Sequence, residues 1–206
     1  MIIQEIFILD DFDMNRILEE LSLIGASSVK ILTEDFRLSL LKEAEAYTYE
    51  KAEEVIGSGH RMVKQQMGTF HSFSDNSNYV LLKSAFQTLL DRSLSDRKDY
   101  PFEKRLHFNS MVLQRYEKDS IGITPHRDWL SDINLICIFN IGGQGRFHIC
   151  SDRSGRDAKE MDTSPGNVVL MRAPGFLGSE DRPFHYVTGI RETRYTFGLR
   201  QTETLK

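Results

Sequence analysis

The run His126-Arg127-Asp128 sets an imidazole and a carboxylate two residues apart. In an extended segment, residues at that spacing share a face. Their donor atoms then converge on one point, which suits a divalent metal ion. Taken alone, a surface His–Asp pair is the plainer reading of so short a motif. His185 follows 59 residues later, in a run that reads as a strand. Two imidazoles and one carboxylate form a donor set that leaves one face of a non-haem iron open. A strand histidine satisfied by its own neighbours is the alternative. The remaining histidines, His60, His71, His107 and His148, have no acidic residue two positions on and read as non-ligands.

A second chemical signal lies near the end of the chain. In the run Arg194-Tyr195-Thr196-Phe197-Gly198-Leu199-Arg200, one face of a strand carries Arg194, Thr196, Gly198 and Arg200. The other carries Tyr195, Phe197 and Leu199. A half-exposed strand with its arginines in water would show the same pattern. Were helices to cover the apolar face, the arginines would instead point into a barrel. A buried guanidinium is costly without an anionic partner. A dicarboxylate would serve, because arginine grips a carboxylate through two parallel hydrogen bonds. Gln114 and Tyr116 share a face of an earlier strand and offer further hydrogen bonds to a small anion.

The elements that must position these groups change character midway along the chain. Ile17, Leu18, Leu21 and Ile24 follow helical spacing between an N-cap at Asp13 and a stop at Gly25. Two further helices are expected over 36–56, from a Thr33 cap to Gly57, and over 79–90. Between them, 57–78 is rich in Gly, Ser and Asn and long for a passive connection, so it reads as a candidate lid or binding loop. It carries Arg61, Lys64, Phe70, His71 and Phe73, a mixture that would suit phosphate contacts and base stacking, or an ordinary partly buried loop. Beyond residue 100 the period becomes that of strands, at 111–117, 133–141, 146–150, 168–173, 184–188 and 194–201, with Gly and Pro between them. The expectation is an α+β chain. Its residues 101–206 form a double-stranded β-helix, or jelly roll, and residues 1–100 pack helices on one side, within a single domain spanning 1–206.

The stretch from Gln114 to Ser120, then His126-Arg127-Asp128, then His185, then Arg194 to Arg200, resembles the Fe(II)/2-oxoglutarate-dependent dioxygenases, and within them the AlkB-like branch. Residues 166–172 also look like the family's strand before the second metal histidine. The resemblance covers about residues 110–201. It implies iron ligation by His126, Asp128 and His185. It implies that Arg194 pairs with the distal carboxylate of 2-oxoglutarate, with Gln114, Tyr116 and Arg200 as further cosubstrate contacts. It also implies O2 as a reactant and hydroxylation of a C–H bond, with oxidative N-demethylation of an alkylated nucleic acid or nucleotide as the branch's reaction. Three positions depart from the branch. Gln114 and Thr196 stand where it commonly has Asn. Leu130 stands where its repair enzymes often have an acidic residue that reads the base. Trp129, beside the carboxylate ligand, would wall the substrate pocket or simply pack. A hydroxylase of a small metabolite or protein side chain is the alternative, as is a jelly roll that binds without catalysis.

Composition bounds these readings. The chain has 206 residues, is 40% hydrophobic and 27% charged, and carries a net charge of −4. That excludes a disordered tail, a collagen or a coiled-coil rod. The acidity argues against a sequence-independent nucleic-acid coat, while leaving room for a local basic cleft. No apolar run reaches the ~18 residues of a membrane span, and no secretory signal is read at the N-terminus. Cys137 and Cys150 read as reduced buried thiols of a cytoplasmic protein, a disulfide between them being the alternative.

Overall fold

The computed structural model describes residues 2–95 and 97–204. Four α-helices, α1 (Ile2–Ile6), α2 (Met14–Ile24), α3 (Glu34–Ala46) and α4 (Asn78–Ser95), and one 3-10 turn, Gly59–Arg61, lie in the N-terminal half. The same half contributes five strands: β1 (Ala26–Lys30), β2 (Glu50–Lys51), β3 (Val55–Ile56), β4 (Val63–Gln66) and β5 (Gly68–Phe70). The C-terminal half supplies β6 (Ser110–Tyr116), β7 (Gly122–His126), β8 (Asp132–Gly142), β9 (Arg146–Cys150), β10 (Lys159–Met161), β11 (Asn167–Arg172), β12 (Phe184–Thr188) and β13 (Arg194–Thr202).

The strands form two antiparallel sheets. The larger has the order β1-β11-β8-β13-β6-β5-β2, and the smaller β10-β9-β12-β7-β4-β3. Side-chain alternation divides the larger sheet's two faces. Leu135, Cys137, Phe139 and Ile141 of β8, with Tyr195, Phe197 and Leu199 of β13, join the helices in one apolar cluster. Ile136 and Ile138 of β8, with Val169 and Met171 of β11, meet Ile123, Phe147, Ile149 and Val187 of the smaller sheet in a second cluster. The molecule is thus a jelly roll with its own inner core and a helical layer outside its larger sheet. The outer core is rich in aromatic pairs, among them Phe86–Phe139 at 5.0 Å and Tyr79–Phe197 at 4.8 Å. Each such pair adds about 0.5–1.5 kcal/mol beyond simple burial.

The first helical boundaries follow the sequence. Asp13 accepts from the Asn15 and Arg16 amides, and Gly25 closes α2 at φ 87°. Thr33 caps α3 by accepting from the Phe36 amide. The helix expected over 36–56, however, ends at Ala46. The run Tyr47-Thr48-Tyr49 is aromatic and β-branched, which favours extended backbone. The Tyr47 ring stacks on Phe70 at 3.9 Å, and Glu50 and Lys51 then pair with Thr69 and Gly68. The stretch 57–78, expected as a lid or binding loop, contains strands of its own. Its middle is β4 and β5, which pair with β7 and β6 and so tie this stretch into both sheets. β1 also went unread, since Ala-Ser-Ser-Val-Lys is a weak strand signal. It is an edge strand whose register on β11 runs from Ala26↔Met171 to Lys30↔Asn167.

Cys137 is buried under the helices and Cys150 is half-buried at the end of β9, and the two thiols are free. No helix among the described residues is long and apolar enough to cross a membrane.

Candidate active site

β7 and β12 are neighbours in the smaller sheet, and their register sets His126 directly opposite His185. The ring centroids are 4.3 Å apart. Asp128 follows two residues beyond the end of β7 and turns back toward them. Its Oδ2 is 3.4 Å from His185 Nε2. The ligand atoms of His126, Asp128 and His185 all lie within 4.8 Å of one another. The close approach of β7 to β12 depends on Gly122, whose φ is +75°. A Cβ there would stand 2.1 Å from the Val187 carbonyl oxygen.

Both imidazoles are oriented by the backbone two residues upstream. His126 Nδ1 is 2.9 Å from the Thr124 carbonyl, and His185 Nδ1 is 3.4 Å from that of Pro183. A carbonyl acceptor holds the proton on Nδ1 and leaves the Nε2 lone pair free for a metal. Burial, then the neighbouring His185, pushes His126 down to about 4. Burial also lowers His185. Both rings are therefore neutral near pH 7. Burial alone would raise the Asp128 carboxyl, but Arg200 and then the two histidines outweigh it and hold the group at about 2. Asp128 Oδ2 is buried without a hydrogen bond. An ionised oxygen left bare inside a protein is expensive unless something positive meets it. Two neutral imidazole nitrogens and one bare carboxylate oxygen are the donors a divalent metal takes.

The second half of the site lies on β13 and β6. Arg194 is 2% exposed and donates from Nη2 to Asn140 Oδ1 at 2.7 Å. Among the described residues no carboxylate lies within ion-pair distance of it. Burial depresses its guanidinium to about 10, partly offset by Tyr116, over whose ring it sits at 5.7 Å. Tyr116 pairs with Arg194 across the ladder, and Gln114 with Thr196. Burial raises the Tyr116 phenol to about 12. Thr196 Oγ1 donates to Gln114 Oε1 at 3.2 Å, and the Gln114 amide nitrogen has only the Met67 sulfur at 3.3 Å, a weak acceptor. Arg200 differs from Arg194. It donates to Asp128 Oδ1 at 3.3 Å and lies 3.6 Å from Asp132 Oδ2. These two carboxylates raise its guanidinium against the effect of burial.

All seven residues singled out in the sequence line one cavity of about 740 Å³. Its wall also includes Val63, Gln65 and Met67 from the segment read as a lid. Trp129, 69% exposed, and Leu130 stand at its mouth. Of the basic and aromatic residues expected to meet a substrate, only Arg61 lines the cavity. Phe70 and Phe73 pack instead against the outer core, with Phe73 edge-on to Phe197 at 5.7 Å. Sequence reasoning missed Asn140, although an Asn inside the otherwise apolar run 133–141 needs a buried partner and so carried a signal. It also missed Asp132, which no local pattern marks.

No protein-family model matches the sequence, and no curated protein matches it. Solved structures do match the fold. A prolyl hydroxylase from Trichoplax adhaerens, in complex with a hypoxia inducible factor oxygen degradation domain peptide fragment, superposes with a TM-score of 0.69 at 13% identity, covering 91% of this chain and 88% of its own. The non-heme alpha ketoglutarate dependent epimerase SnoN from nogalamycin biosynthesis gives 0.63 at 14%, covering 92% and 82%. OsALKBH1 gives 0.59 at 15%, covering 86% and 98%. The chain therefore has the jelly-roll fold of these structures, and inside it His126, Asp128 and His185 form a cluster that could hold a metal ion.

Proposed function

We propose that this protein is an Fe(II)- and 2-oxoglutarate-dependent dioxygenase that hydroxylates a C–H bond of its substrate. One observation carries the reading. A bare buried carboxylate oxygen between two neutral imidazoles shares a cavity with a buried guanidinium that no carboxylate answers. The first asks for a cation and the second for an anion. Iron and 2-oxoglutarate supply both, and with O2 they supply the oxidising power while the cosubstrate becomes succinate and CO2.

The chain's own residues then have distinct tasks. His126, Asp128 and His185 would hold the metal. Arg200 keeps Asp128 ionised and fixes its orientation, which makes it a positioning residue. Arg194 takes the far carboxylate of the cosubstrate, with Asn140 aligning its guanidinium. The Tyr116 hydroxyl and the weakly engaged Gln114 amide nitrogen offer further hydrogen bonds beside it. The surrounding sheet walls, Ile138 and Phe147 among them, exclude water from the reacting centre.

Within this reading the order of motifs favours oxidative N-demethylation of an alkylated nucleic acid or nucleotide. Hydroxylation of an N-methyl carbon gives an N-hydroxymethyl group, which releases formaldehyde and the free amine. A second reading, hydroxylation of a small metabolite or protein side chain, draws on Leu130 in place of an acid and on Phe70 and Phe73 lying outside the cavity. The test is succinate formation by purified protein supplied with Fe(II), 2-oxoglutarate and O2. Turnover that alkylated oligonucleotides or nucleotides stimulate, and amino acids or peptides do not, supports the first. The reverse supports the second. No succinate under any condition would refute the oxygenase reading itself.

A further inference from the structure

Four arginines line the mouth of the cavity: Arg61, Arg127, Arg153 and Arg182. They come from four separate segments of an acidic chain, so no single basic run accounts for them. Their charges are poorly answered. Arg127 has one carboxylate, Asp181 at 3.9 Å, and the other oxygen of that carboxylate is taken by Arg172. Arg182 donates from Nε to the Asp128 carbonyl at 2.9 Å, and among the described residues its terminal nitrogens make no hydrogen bond or ion pair. Among the described residues the one hydrogen bond of the Arg153 guanidinium goes to the Arg61 carbonyl, at 3.5 Å. Among the described residues Arg61 and Arg153 have no carboxylate within ion-pair distance.

The rim is also pre-shaped. Arg127 and Arg153 both stand over the Phe184 ring, 4.2 Å and 5.6 Å from its centroid. A cation over a ring face is held in place while its N–H donors stay available. Like charges gathered on one rim repel until an anion enters. Planar guanidinium donors on one rim match the oxygens of a phosphate group.

We propose that this rim binds a phosphate group of the substrate, and that the reacting carbon is carried on the cavity side of that phosphate. The substrate is thus a phosphorylated molecule with its anion at the surface and its oxidisable group inside. The proposal rests on the oxygenase reading only for what happens inside the cavity. Anion binding at the mouth is measured without turnover, so the two fail separately.

Trp129 is the only tryptophan of the chain and stands at the same mouth, so its fluorescence reports occupancy there. The full-length protein is titrated with ribose 5-phosphate, with ribose, with adenosine monophosphate and with a short thymidylate oligonucleotide. The midpoint of each titration is read rather than its amplitude. Ribose 5-phosphate should bind and ribose should not. The double variant Arg127→Ala/Arg153→Ala should weaken ribose 5-phosphate binding at least tenfold, since a charge-assisted hydrogen bond lost to one arginine is worth about a factor of ten or more. Arg61→Ala should weaken it in the same direction, and Lys42→Ala, on the exposed side of α3, should leave it unchanged. Adenosine monophosphate binding as tightly as the oligonucleotide identifies a free nucleotide or other small phosphate as the source. A much tighter, salt-sensitive oligonucleotide identifies a strand. Equal affinity for ribose and ribose 5-phosphate would overturn the proposal. So would an affinity that the rim variants leave intact and Arg194→Ala lowers, because the anion would then sit in the inner pocket.

Discussion

Replacing Arg194 with Met should make the cosubstrate-free protein no less stable, or slightly more so, while destroying its response to 2-oxoglutarate. The guanidinium is buried, is depressed to about 10, and has one neutral hydrogen-bond partner, Asn140. A fall of that size puts about 3 kcal/mol on the charged form at neutral pH. Met removes that cost with a similar shape. It also strands the Asn140 carbonyl oxygen, at about 1–3 kcal/mol. The balance is a gain of about 0–2 kcal/mol, or a rise in melting temperature of a few degrees for a chain of this length. The ligand behaves oppositely. Breaking a buried charge pair costs about 2–5 kcal/mol of binding, so the Kd for 2-oxoglutarate should rise by about thirtyfold to several thousandfold. Saturating 2-oxoglutarate, at about 100 times Kd, should stabilise the metal-loaded wild type by about 2.7 kcal/mol and leave the variant unmoved. Thermal melts with and without cosubstrate, together with calorimetric titration, give both quantities. A variant that melts well below wild type and still binds 2-oxoglutarate normally would refute the assignment of Arg194 as a costly cation kept for its ligand.

Asp128→Ala should abolish succinate formation and metal binding while the protein stays folded, because Arg200 retains Asp132; metal analysis and circular dichroism read the two halves. In the metal-free protein, His126 has a folded pKa of about 4 against an ordinary 6.5, so the fold accommodates its neutral form. Its contribution is complete above about pH 6.5 and is lost as the pH falls toward 4, by about 3 kcal/mol, which urea midpoints across that range measure. Phe73→Ala should cost about 2–3 kcal/mol of stability, somewhat below the cost at a fully buried site, and leave ligand affinity unaltered. A loss of oligonucleotide binding without loss of stability would return that ring to the substrate. Gly122→Ala should weaken metal binding and stability together, because a Cβ there meets the Val187 carbonyl and forces β7 away from β12. An alanine variant with unchanged metal affinity would show that the imidazole pair does not depend on that close approach.

The parts legible in the sequence were those fixed by local chemistry. Asp13, Gly25 and Thr33 mark helix ends because capping is settled within four residues. The longer strands were legible because one or both faces are buried, and period and length then show directly. The convergence of His126, Asp128 and His185, and the place of Arg194 in the same cavity, were legible through residue type and order. β7 was hidden by Pro125, which normally argues against a strand. Here it lies beyond Gly122 and Ile123, the residues that pair with β4, so its missing N–H breaks no bond to that neighbour. β2 to β5 were hidden because strands of two to four residues carry no period. The early end of α3 was hidden because it depends on Tyr47 meeting Phe70, a contact between residues far apart in sequence. The rim arginines were beyond reach for a related reason: four segments converge only after both sheets have closed.

β13 shows why the same strand had to be read on both faces at once. Tyr195, Phe197 and Leu199 enter the helical core, where Phe197 meets Tyr79 and Phe73. Arg194 and Arg200 face the opposite way into the cavity. A strand that buried only its arginines would gain too little from folding to hold a cation such as Arg194 away from water. The helices supply that gain on the outer face. They also fix the strand's position between β8 and β6, so that Arg194 meets Asn140 and Tyr116 while Arg200 meets Asp128. A one-residue slip of β13 would exchange the two faces, burying the aromatics in the cavity and driving the guanidiniums under the helices. Register, stability and chemistry are therefore set by one alternation, and the helical layer is what makes the buried arginines tolerable.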